Sequence, residues 1–147
     1  MVNLKNCSFR ITADVTTNAT THGVIACQGG NMAGWSLYLD DESQPVFHYN
    51  WLGHEHYIAR STASLAPGQH SIVVDFVYDG GFGAGGDTVL SVDGTAVAGA
   101  RLNRTVPVVF SMSGETFDVG LGIGREYDPL RLITRTSPLR GLPILCP

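Results

Sequence analysis

Residues 68–99 read GQHSIVVDFVYDGGFGAGGDTVLSVDGTAVAG, and this stretch decides the fold class. In its first eleven residues His70, Ile72, Val74, Phe76 and Tyr78 fall on one side of an extended chain. Alternation with period two, rich in β-branched and aromatic residues, marks a strand with one buried face. The following DTVLSVDGTAVAG carries Asp93-Gly94 between two apolar runs. That pair is a strong short-range signal for a type I′ hairpin. The intervening DGGFGAGGDT lacks the Gly-Lys-Ser/Thr of a triphosphate loop and precedes no helical pattern, so it reads as a flexible connection. GLGIGRE (120–126) is equally weak as a dinucleotide signature.

The same period runs outward in both directions. In SFRITADV, Phe9, Ile11, Ala13 and Val15 share a face. GVIACQGG is a short apolar run closed by Gly29 and Gly30, and WSLYLDD sets Trp35, Leu37 and Leu39 against Ser36, Tyr38 and Asp40. PVFHYNW and HEHYIAR flank Leu52-Gly53 as a hairpin, while VPVVFSM and ETFDVGLG supply two further strands. This makes about ten short strands in one domain with no helical period, which predicts a β-sandwich or barrel.

Composition narrows the function classes. The 147 residues are 44% hydrophobic and 15% charged with a formal charge of −4, which gives no general pull toward nucleic acid. No apolar run reaches the length of a membrane helix, so no membrane partner is expected. The start, MVNLKNCSFRITADV, has no apolar h-region; no secretory signal is expected, and a cytoplasmic location is the default. Cys7, Cys27 and Cys146 have no C-x-x-C spacing and are expected to be buried free thiols. The sequons at Asn6, Asn18 and Asn103 matter only along a glycosylating route.

The last residues differ in character. REYDPLRLITRTSPLRGLPILCP (125–147) holds four of the nine Lys+Arg and four of the seven prolines. Proline suits interior strands poorly. The expectation is a sandwich domain over 1–124 and an atypical, loosely packed tail over 125–147, with one short strand around Leu130 to Thr134.

Taken together, ITADV, GVIACQGGNMAGWSLYLDD, HYNWLG, LAPGQHSIVVDFVYDGGFGAGGDTVLSVDGTAVA and RTVPVVFSMSGETFDVG resemble the C-terminal region of large bacterial arylsulfatases. The resemblance covers roughly residues 4 to 124. It implies an all-β, concanavalin A-like lectin/glucanase jelly roll of two antiparallel sheets. It implies an accessory domain, not an activity, because a jelly roll hosts many functions. The Cys/Ser-x-Pro-x-Arg element of the sulfatase nucleophile does not occur in these 147 residues, so no sulfatase activity is expected. The family's last apolar strand is not recognisable in the tail, which would leave an open sheet edge for a second copy or for the tail itself.

The densest chemistry lies in FHYNWLGHEHY (47–57), with three histidines, a glutamate and four aromatics. A two-residue Leu52-Gly53 turn would set Trp51 opposite His54, Tyr49 opposite His56 and Phe47 opposite Ile58. Phe47, Tyr49, Trp51 and Ile58 would then face the core. The three histidines would be split, and two of them make a poor zinc site. A three-residue loop would instead bring His48 beside His54 and His56, since a one-residue slip flips a strand face. No metal or other cofactor is expected.

In the two-residue register the opposite face would present Tyr38, His48, Asn50, Glu55 and Tyr57 together. Amphipathic rings with fixed polar neighbours suit carbohydrate, including sulfated glycan. An ordinary polar outer face of a sheet is the plainer alternative. No catalytic residues are expected: a sandwich glycosidase needs paired carboxylates in a Glu-x-Asp pattern, and Glu42, Glu55, Glu115 and Glu126 do not form one. A G-x-S-x-G elbow is also absent. The sequence therefore supports a non-catalytic binding module, or alternatively a protein-interaction domain that oligomerises or docks through a sheet edge or its tail.

Overall fold

The computed structural model describes residues 4–18, 21–29, 33–108, 110, 117–119 and 144–145. Within them, the alternating runs form strands β1 (Phe9–Thr17), β2 (Gly23–Gly29), β3 (Gly34–Leu39), β4 (Pro45–Trp51) and β5 (Glu55–Arg60). These are followed by β6 (Gly68–Tyr78), β7 (Ala84–Val92), β8 (Thr95–Arg104), β9 (Phe117–Val119) and β10 (Ile144–Leu145). They pair antiparallel in two five-stranded sheets, ordered β10-β1-β6-β7-β8 and β5-β4-β3-β2-β9. The sandwich expected from the strand spacing is the architecture.

The core lies between the inner faces. Phe9, Ile11, Ala13 and Val15 of β1 and Ile72, Val74 and Phe76 of β6 are buried against Trp35, Leu37 and Leu39 of β3 and Phe47 and Tyr49 of β4. Each is the inward half of an alternating strand, so burial follows directly from the period of two. Asp93 and Gly94 close the β7–β8 hairpin with φ of 51° and 84°, positive at both central positions as a type I′ turn requires.

Three local expectations are corrected. Val106, Pro107, Val108 and Phe110 of VPVVFSM are not in a strand. Val106 and Phe110 are buried, the Val106 N–H goes to Tyr49 Oη at 2.9 Å, and Pro107 has no N–H to give a ladder. The glycine-rich connection after β6 is pinned: Asn6 Oδ1 accepts from Gly83 N–H at 2.9 Å, and Tyr78 Oη donates to the Gly81 carbonyl at 2.7 Å. Cys7 is disulfide-bonded where a free thiol was expected, whereas Cys27 is a buried thiol outside any disulfide. Which cysteine pairs depends on the fold, so spacing does not reveal it.

Of the tail, Ile144 and Leu145 pair with Ile11 and Arg10 on the outer side of β1. The strand expected around Leu130 to Thr134 lies outside the described residues.

Candidate functional site

The β4–β5 hairpin turns through Leu52 and Gly53, both at positive φ (51° and 72°), and His54 N–H donates to the Trp51 carbonyl at 3.0 Å. Asn50 Oδ1 accepts from Gly53 N–H at 2.8 Å and ties the turn to β4. His54 then stands outside the ladder as one extra residue. Pairing passes to Trp51 with Glu55, Asn50 with His56, Tyr49 with Tyr57, His48 with Ile58 and Phe47 with Ala59. The connection is thus the three-residue one, and it flips β5 relative to the two-residue register.

The flip divides the residues expected to form one surface. Tyr38, His48 and Asn50 lie on the outer side of their sheet, paired with Val46, Ser36 and Gly34. Glu55 and Tyr57 lie on the core side, opposite Trp51 and Tyr49. Ile58, expected in the core, is 45% exposed on the outer side, and Ala59 takes the inward place. Tyr38 is 0% exposed, so it is no open platform for a sugar ring.

On the outer side His48 and His56 meet, with His48 Nε2 2.9 Å from His56 Nδ1. His54 does not join them; it sits by Trp51, ring centroids 6.2 Å apart. His48 is buried, and that burial first, then the neighbouring His56, pushes its pKa down to about 4. Its imidazole is neutral at ordinary pH. Among the described residues no three His, Cys, Asp or Glu side chains group to hold a metal.

The core-side residues build a second cluster. Strands β5 and β8 end their respective sheets and run against each other along one side of the sandwich. There Arg104 of β8 lays its guanidinium over the Trp51 ring, 4.2 Å from the centroid. Its Nε and Nη2 donate to Glu55 Oε1 at 3.0 and 2.5 Å, and Tyr57 Oη donates to Glu55 Oε2. The Tyr57 bond first, then Arg104, holds the Glu55 carboxyl below its ordinary range, while partial burial and Glu55 raise Tyr57. Trp51 and Tyr57 are half-buried, and the Arg104 side chain is 51% exposed. Sequence reasoning missed Arg104, because 49 residues separate it from Glu55 and only the meeting of two sheet edges joins them.

No protein-family model matches the chain, and no curated protein matches it. Solved structures do match. Over 98% of its length the chain superposes on the LG1-3 region of the laminin alpha2 chain, with TM-score 0.68 and 11% identity. It superposes equally far on domains LG4-5 of the mouse laminin alpha1 chain, with TM-score 0.62 and 16% identity. The fold is a concanavalin A-like jelly roll. This jelly roll spans 29% and 36% of those two laminin chains, and at such identities the likeness is one of fold.

Proposed function

We propose that the chain is a non-catalytic jelly-roll binding module whose ligand is a carbohydrate, held at the Trp51–Tyr57–Glu55–Arg104 cluster. The observation that carries this reading is the cluster itself: two amphipathic rings, a carboxylate and a guanidinium fixed by mutual bonds at a partly open edge. Rings of this kind pack on apolar sugar faces, and pre-set donors and acceptors serve hydroxyl or sulfate groups. The ionised, doubly bonded Glu55 favours binding over hydrolysis, since a general acid needs a carboxyl raised in pKa, not lowered. The resemblance to the arylsulfatase C-terminal region supports an accessory role of the same kind. A glycan array of sulfated and unsulfated saccharides, followed by calorimetry on the best hit, tests the reading. Trp51→Ala and Arg104→Ala should each weaken that hit at least tenfold, and no hit on the array would end it.

A second reading has its own observation. Strand β8 closes its sheet, and its Thr95–Ala100 half carries neither charge nor proline. Natural edges are normally guarded by such residues, so this one suits strand addition by another chain or a second copy. Light scattering after size exclusion checks it: a dimer that Ala96→Lys converts to monomer supports edge pairing, and a monomer at all concentrations with no strand partner rejects it.

A further inference from the structure

His70 opens β6 with acceptors against both ring nitrogens. Nδ1 lies 2.8 Å from Asp93 Oδ2, and Nε2 lies 2.6 Å from the Ala66 carbonyl oxygen. Neither oxygen has a proton to give. The Asp93 carboxylate is fixed by Ser71 N–H at 2.9 Å, which with His70 keeps it below its ordinary range, and the Ala66 oxygen is backbone. A neutral imidazole carries one N–H; the imidazolium carries two. Only the charged ring satisfies both contacts. In the neutral ring one nitrogen turns its lone pair on an oxygen less than 3 Å away.

We propose that His70 is a proton-dependent latch: charged, it ties both the β7–β8 turn and the 61–67 connection to β6, and on losing its proton it gives up its own tie to the Ala66 end of the connection. The connection is the arm that releases, because the remaining proton stays on Nδ1, where the carboxylate makes the stronger, charge-assisted bond. The Ala66 carbonyl keeps Thr17 Oγ1 as a donor at 2.8 Å. Upstream, Ser61 N–H to Pro45 O and Leu65 N–H to Ser43 O, each 2.9 Å, hold independently. Release is therefore confined to the segment around Ala66–Gly68. Around the ring β1 presents Val15, the connection presents Ala66 and the turn presents Asp93, so among the described residues Asp93 is the one titratable group acting on it. The Asp93 bond first, and the Ala66 bond with it, raise the ring's proton affinity above the ordinary 6.5, against partial burial. The latch thus opens at a higher pH than that at which an ordinary histidine loses its proton.

Ring-nitrogen NMR and amide exchange on the full chain between pH 5.5 and 9 test this. Both His70 nitrogens should be protonated below pH 6.5. As the ring titrates, exchange at Ala66 and Gly68, normalised to intrinsic rates, should rise roughly tenfold, the factor one charge-assisted hydrogen bond supplies. His70→Gln should exchange fast there at every pH, and Asp93→Asn should lower the ring's midpoint. A neutral His70 at pH 6, or protection at Ala66 and Gly68 that ignores the titration, would overturn the latch. So would an unchanged pH dependence in His70→Gln. Should either variant fail to fold, the unmodified protein's titration decides alone.

Discussion

Tyr49 illustrates what a single residue can hide in an alternating strand. Its ring is buried in the core, edge-on to Phe110 with centroids 6.2 Å apart, as its inward place dictates. Its Oη also accepts the Val106 N–H at 2.9 Å, and burial holds its own proton on well above the ordinary tyrosine range. Tyr49→Phe keeps the ring and leaves a buried backbone N–H without its partner. The expected loss is about 1–3 kcal/mol in urea unfolding, because an orphaned buried donor costs its desolvation. Tyr49→Leu should cost more through the added packing defect. The ring's burial was legible in the sequence. The hydroxyl's partner was not, since nothing local links residue 49 to Val106, 57 residues further along the chain. Arg104 escaped reading for the same reason: residue types are visible along the chain, and cross-sheet neighbours are not.

At the scale of elements, β7 shows how a composition signal can be read too simply. Gly85 and Gly86 sit inside a glycine-rich run that suggests only a loop, yet both lie in the strand. A Cβ on Gly86 would stand 2.3 Å from the Val77 carbonyl oxygen and 2.6 Å from the Phe76 ring, so the glycine lets the strand pass over a core aromatic. Gly86→Ala should destabilise by about 1–3 kcal/mol, as overpacking does. Gly94→Ala makes a useful contrast. Its Cβ would enter open space, but φ is 84°, so the cost is backbone strain of about 1 kcal/mol. Thermal melts of both variants check the order. The β4–β5 hairpin carries the other lesson. Its existence and its positive-φ turn were legible, but one unpaired residue, His54, decided which side of the sandwich received Glu55 and Tyr57. Period-two reasoning has no memory of such an insertion, so the five residues read as one surface became two groups.

For the whole molecule, two histidines act on stability in opposite directions. The folded state depresses His48 to about 4, so the unfolded chain takes up that proton first as pH falls below 6.5. The share of stability that depends on His48 should drop between pH 6.5 and about 4, by an amount on the order of 3 kcal/mol. His70 is raised instead. Its contribution is complete below pH 6.5 and fades as pH climbs through its folded value. The two together predict a dome, with an acid limb set by a buried neutral ring and an alkaline limb set by a bridged charged one. Urea unfolding at half-unit steps from pH 4 to 9 traces it. His48→Gln should flatten the acid limb and leave the alkaline one, and His70→Gln should do the reverse. The limbs must separate in this way because the rings lie in different sheets, His48 on β4 and His70 on β6, and have no bonding partner in common. A single variant that removed both limbs would show that the pH response belongs to global charge and not to these two rings.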